Sequence, residues 1–374
     1  MDFNASLRQR ILVAIGAGGL SLAGLTDCGG SDSGDQPATS GGAAGAAGST
    51  QSTGGNKGGT GGNIATGGNN SLGTSGGMAP TGGAGMGLGI GGLITVRRPF
   101  LVGSEIRTAT AISRGDWLDD NPPPSNDSQL DPGTREMLAR VWLKDALEEH
   151  ASIAAFARFS LMMLAHGAPS DLVAAAQRAS LDEVRHARAC FTLAHRYSGL
   201  AQGPSELSLQ DAIGMMSLPE LAALTVREGC VGETLGALLA QHQLTLAVDP
   251  WVRALLQQLV KDETRHSELA WRFVRWALKI GRKDVQRAVV ASFDELSDAE
   301  RFVEIRNYDV DHAAWHAHGR VTCMEARNVT AAALKQVIGP CVEAMLALSD
   351  APFATSHNVE PAAMVLPINM PPAK

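Results

Sequence analysis

The sequence predicts an all-α protein, a four-helix bundle of two helical hairpins joined by one long crossover, with extra C-terminal helices and a short N-terminal β-hairpin. Three observations lead there. Apolar residues recur at helical spacing between residues 131 and 281; the stretches open on Asp-Pro or Ser-x-Pro caps; and the connections between them run short, long, short.

Composition narrows the class. The chain has 374 residues with 42 glycines, most of them before residue 95. Without that stretch, roughly 280 residues rich in Ala and Leu remain, enough for one helical core. A net charge of −7 provides no basic face for phosphate backbones, so no nucleic-acid partner is expected.

Residues 1–28 read as a leader. The apolar run Ile11 to Leu25 follows Arg8 and Arg10 and is short for a bilayer span, the pattern of an export signal. Leu25-Thr26-Asp27-Cys28-Gly29 resembles the lipobox of bacterial lipoproteins, with Asp27 where that family prefers a small neutral residue. The resemblance implies acylation of Cys28, a lipid anchor in the membrane and a place in the cell envelope. Residues 29–92 are Gly, Ser, Thr, Asn and Ala, a composition that cannot offset the entropy of ordering. As a coil, such a tether of about 60 residues reaches roughly 40 Å.

In segment 93–130, apolar and polar residues partly alternate on either side of Gly103-Ser104, which predicts a hairpin, and the run Pro122–Pro124 makes a connector. Asp131-Pro132 opens helix one, which runs to about His166, and Gly167–Asp171 turns the chain into helix two, ending near Ser198. After a crossover, Ser217 and Pro219 start helix three, which runs to about Ala247. Asp249-Pro250 starts helix four and Gly281 ends it. Residues 282–350 remain helical in pattern, with Thr322 and Glu325 spaced as a capping box, and 351–374 form a tail.

The chemistry lies in a string that occurs twice: Asp182-Glu183-Val184-Arg185-His186 on helix two and Asp262-Glu263-Thr264-Arg265-His266 on helix four. Residues three apart share a helix face, so each Glu and its His can grip one ion. Two divalent cations need about four carboxylates for charge balance, with oxygen and nitrogen donors suited to iron or manganese. Helices one and three must therefore each add a Glu.

Level along the helices selects them. Glu149 lies 19 positions before the turn at 168 and Glu183 lies 15 after it; Glu233 and Glu263 lie 16 before and 14 after residue 249. On an α-helix, Glu228 would sit about 7.5 Å further along than Glu233 and about 140° around from it. Glu149 shares its face with Ser152, Ile153 and Phe156, whereas Glu148 is rotated from it. The expected metal ligands are Glu149, Glu183, His186, Glu233, Glu263 and His266.

Glu on helix one, Glu-x-x-His on two, Glu on three and Glu-x-x-His on four resembles the ferritin-like di-iron carboxylate superfamily over residues 131–281. The surroundings of Glu149 and Glu233 are most similar to ubiquinone-biosynthesis hydroxylases and rubrerythrin-like proteins. The resemblance implies two iron ions reacting with dioxygen or peroxide, and an oxidoreductase acting on a small-molecule substrate. It also implies that Asp182 supports His266 and that Asp262 supports His186. Two other functions fit the same residues: iron oxidation and handling in the manner of a ferroxidase, and a metal-stabilised, surface-tethered interaction module.

The remaining features receive plainer readings. Gly229, Gly232 and Gly236 beside Glu233 imply either close packing of helix three or a cavity. Cys190 and Cys230 are expected as buried thiols, on opposite sides of the metal level. His312 and His316 are read as packing or solvated residues rather than a second site, and Arg185 and Arg265 as surface ion-pair partners.

Overall fold

The structure, a computed structural model, describes residues 2–17, 98–120, 130–296 and 310–350. Cys28, the tether, the Pro-rich run and the tail lie outside them. Helix accounts for 74% of the described residues and strand for 4%, so the protein is all-helical apart from small strand pairs.

Local chemistry sets the helix ends. Helix α1 spans Phe3–Ala14 behind an Asp2 cap. Helix α2 (Pro132–Ala165) opens on Asp131, whose carboxylate accepts from the Thr134 N–H, with Pro at the first turn. Gly167, at φ 66°, turns the chain into α3 (Ser170–Ser198), which Gly199 closes in the left-handed region. Helix α4 (Leu218–Thr225) begins with a full capping box of Ser217 and Glu220. It continues as a π-helix over Val226–Glu233 and then as α5 (Thr234–Leu246). Helix α6 (Pro250–Glu295) starts on an Asp249 cap and is interrupted at Arg282, whose φ of 47° is non-helical, directly after Gly281.

Three short helical pieces follow: α7 (His312–Ala317), α8 (Cys323–Ala333) with the Thr322 and Glu325 capping box, and α9 (Gly339–Asp350). A five-residue π-helix, Leu334–Ile338, links the last two. The expected hairpin is small: β1 (Leu101–Val102) pairs antiparallel with β2 (Glu105–Ile106) around Gly103-Ser104. A second pair joins β3 (Ala111–Ser113) to β4 (Gln202–Pro204) in the crossover.

Two apolar clusters form the main core. One takes the C-terminal half of α2, the N-terminal half of α3, α4 through the start of α5, the later part of α6, and residues of α1, α8 and α9. The other takes the N-terminal half of α2, the C-terminal half of α3, the end of α5, the start of α6 and Trp315. Helices α2 and α6 therefore run from the second cluster to the first, and α3 and α4–α5 run the opposite way. Between the clusters, all four long helical stretches pass through one polar layer.

Over the part described, the N-terminal segment packs into the first apolar cluster. Leu7 and Ile11 are 1% and 0% exposed, Asn4 donates to Gln336, and Arg10 pairs with Glu268. Among the described residues one stretch, Cys323–Ser349, is long and apolar enough to cross a bilayer by length and composition alone.

Candidate metal centre

The six expected ligands all lie in the polar layer, 1–2% exposed. Glu149 comes from α2, Glu183 and His186 from α3, Glu233 from the last position of the π-helix, and Glu263 and His266 from α6. Their ligand atoms form two groups, each within 4.8 Å: Glu149, Glu183, His186 and Glu263 in one, Glu233, Glu263 and His266 in the other. Glu263 belongs to both.

Each imidazole turns Nδ1 inward. The His186 Nδ1 stands 3.4 Å from Glu183 and 3.7 Å from Glu263, and the His266 Nδ1 stands 3.1 Å from Glu183 and 3.7 Å from Glu263. Neither Nδ1, nor the Oε2 atoms of Glu183 and Glu263, makes a well-directed hydrogen bond. Buried polar atoms normally find partners, so a cluster of them aimed at one point could hold a cation. The opposite nitrogens are tied down crosswise: His186 Nε2 bonds Asp262 at 3.0 Å and His266 Nε2 bonds Asp182 at 3.1 Å.

Burial of so many acids shapes their protonation. Burial alone would lower the His186 imidazole, but Asp262 and Glu183 outweigh it and raise the group to about 10. His266 is likewise raised well above its usual value against burial, by Asp182, Glu183 and Glu263. Burial favours neutral Glu183, yet the two imidazoles hold it well below the carboxylate range. Glu233 goes the other way: burial first, then the charge of Glu263, push it well up. Protons thus sit where cations would bind, and metal binding at Nδ1 would release them.

The supporting aspartates belong to a wider network. Arg185 bonds Asp182, and Arg265 bonds Asp262 and reaches Asp182 at 3.1 Å, both guanidiniums about half exposed. The Gln258 amide also donates to Asp262 at 2.8 Å. The aspartate charges are thereby neutralised on the outward side and fixed in direction for the histidines.

The placement of Glu228 departs from expectation. An α-helix would rotate it away from Glu233, but residues Val226–Glu233 bond i to i+5, which brings residues five apart near one face. Glu228 is consequently buried, 3% exposed, and pairs with Arg98 at 3.5 Å and Arg158 at 3.6 Å. Burial raises its carboxyl to about 7, with both arginines opposing. Arg98 also bonds Glu233 at 3.2 Å. Sequence reasoning missed Arg98 and Arg158; the five-residue spacing of Glu228 and Glu233 was the one available signal.

Close packing is the reading that holds at Gly229. A Cβ there would collide with that of Ala270 and meet Arg98 Nη2 at 2.9 Å. Cys190 and Cys230 are both buried and form no disulfide, and they lie in different apolar clusters. His316 bonds Glu325 of the α8 capping box at 3.0 Å, a structural contact.

Comparison with family models, with curated proteins and with solved structures finds no match to this chain.

Proposed function

We propose that the polar layer is a dinuclear metal centre within a ferritin-like four-helix bundle, that it holds iron, and that the protein is an oxidoreductase activating dioxygen. The observation that carries this reading is the inward convergence of two imidazole Nδ1 atoms on four buried carboxylates, with both Nε2 atoms held crosswise by aspartate.

Glu149, Glu183, His186 and Glu263 would hold one ion, and Glu233, Glu263 and His266 the other. A ferrous pair bound there would supply electrons for reduction of dioxygen or peroxide. The protein's own part is geometric and electrostatic. Asp182 and Asp262 fix the tautomer that presents Nδ1 inward. Burial keeps bulk water from the carboxylates, and four of them balance the charge of two divalent cations without a counter-ion from solvent. Burial and the charge of Glu263 raise the Glu233 carboxyl, so a cation binding there competes with a proton.

The test is to load the full chain with ferrous iron without air, admit air, and follow oxygen uptake with Glu183→Ala as control. Uptake proportional to two irons per chain, abolished in the variant, is the expected result. Binding of a single zinc with no oxygen consumption would favour the interaction-module reading. Continuous turnover of ferrous iron as the sole reductant would favour iron handling.

A further inference from the structure

The two halves of the centre differ in what stands behind them. Residues 98–102 are wedged between α2 and the π-helix. The Arg98 carbonyl accepts from Ser152 at 2.7 Å, Phe100 is buried beside Ala151 and Ala155, and the Leu101 carbonyl accepts from Arg158. This places the Arg98 guanidinium, 1% exposed, over the rings of Phe156 and Phe159 at 4.3 and 4.8 Å. From there Nε bonds Glu233 and Nη1 faces Glu228. Main-chain, aromatic and ionic contacts all hold it, so it is a fixed part of the interior.

Arg98 touches a ligand of one group only. Glu233 belongs to the group with Glu263 and His266, and the group with Glu149, Glu183 and His186 does not include it. The two guanidiniums of Arg98 and Arg158 outweigh the single carboxyl of Glu228, which leaves net positive charge on the Glu233 side. That charge repels an incoming cation, and the guanidinium competes with it for the Glu233 carboxylate.

We infer that Arg98 is a positioning residue that makes the two metal positions unequal: the position of Glu149, Glu183, His186 and Glu263 fills first, and Glu233 is held by Arg98 until a second cation draws it away. The inference rests on the dinuclear reading above and adds an order of filling and a cause for it.

The test is calorimetric titration of the metal-free full chain with cobalt(II), with the cobalt visible bands followed in parallel. The wild type should take up two cobalt ions in two resolved steps, the second at least tenfold weaker. His186→Ala should lose the tight step and His266→Ala the weak one. Arg98→Gln should strengthen the second step at least tenfold, and Arg98→Lys, which keeps the charge, should preserve the gap. Two equal steps in the wild type would overturn the inference without any variant, as would a second step unmoved in a folded Arg98→Gln protein. A wild type that binds no cobalt would overturn the dinuclear centre itself.

Discussion

Glu263 is the residue whose loss should cost the most metal. It belongs to both ligand groups, whereas Glu149 and Glu233 each belong to one. At a free-ion concentration one hundred times the dissociation constant of the tighter position, that position stabilises the folded state by about 2.7 kcal/mol and a tenfold weaker one by about 1.4 kcal/mol, or about 4.1 kcal/mol for both. For a domain of this size, about 2–4 °C per kcal/mol converts this into a rise in melting temperature of about 8–16 °C. Glu263→Ala should abolish the whole metal-dependent rise, Glu149→Ala about two-thirds of it and Glu233→Ala about one-third. The quantity to compare is the difference between melts with cobalt(II) and with chelator for each variant, because removing a buried carboxylate also changes the metal-free protein. A Glu263→Ala protein that keeps the full rise would refute the shared-ligand geometry.

Three further predictions rest on separate parts of the structure. Leu7→Ala, at a site 1% exposed, should lower stability by about 2–5 kcal/mol in urea denaturation; an unchanged midpoint would mean that α1 is not part of the core. Asp182→Asn and Asp262→Asn should leave the fold intact by circular dichroism and weaken metal binding about 10–100-fold in equilibrium dialysis, since each aspartate orients a histidine and belongs to neither ligand group. Glu228 has its folded-state pKa raised to about 7, so it destabilises the protein once ionised, and stability is lost as pH rises from about 4.5 to about 7. Glu228→Gln should remove up to about 3 kcal/mol of that loss, and parallel pH profiles for the two proteins would contradict the assignment.

Much of the helical frame was legible because local chemistry sets it. Asp131-Pro132, Ser217 with Glu220, and Asp249-Pro250 each supply a side-chain acceptor for the first turn, and the caps stand at those residues in the structure. The repeated Asp-Glu-x-Arg-His string was legible for the same reason, since three-residue spacing on a helix fixes which side chains share a face. The rest depends on packing between distant parts of the chain. Arg98 reaches Glu233 across 135 residues, and nothing near Arg98 marks it. The strand pair of Ala111–Ser113 with Gln202–Pro204 is too short to leave a pattern. The π-helix at Val226–Glu233 changes which residues share a face, so reasoning at α-helical pitch placed Glu228 about 140° around from Glu233. The packing of Leu7 and Ile11 against the first cluster was not legible either, because an apolar leader and an apolar core helix have the same composition.

The most direct test of the dinuclear centre is a crystal of the full chain grown with manganese or ferrous iron and measured at the anomalous edge of that metal. Two peaks about 3.5–4 Å apart, each bonded to a histidine Nδ1 and both touching Glu263, are the predicted result. A single peak, or none inside the layer between the two apolar clusters, would contradict it.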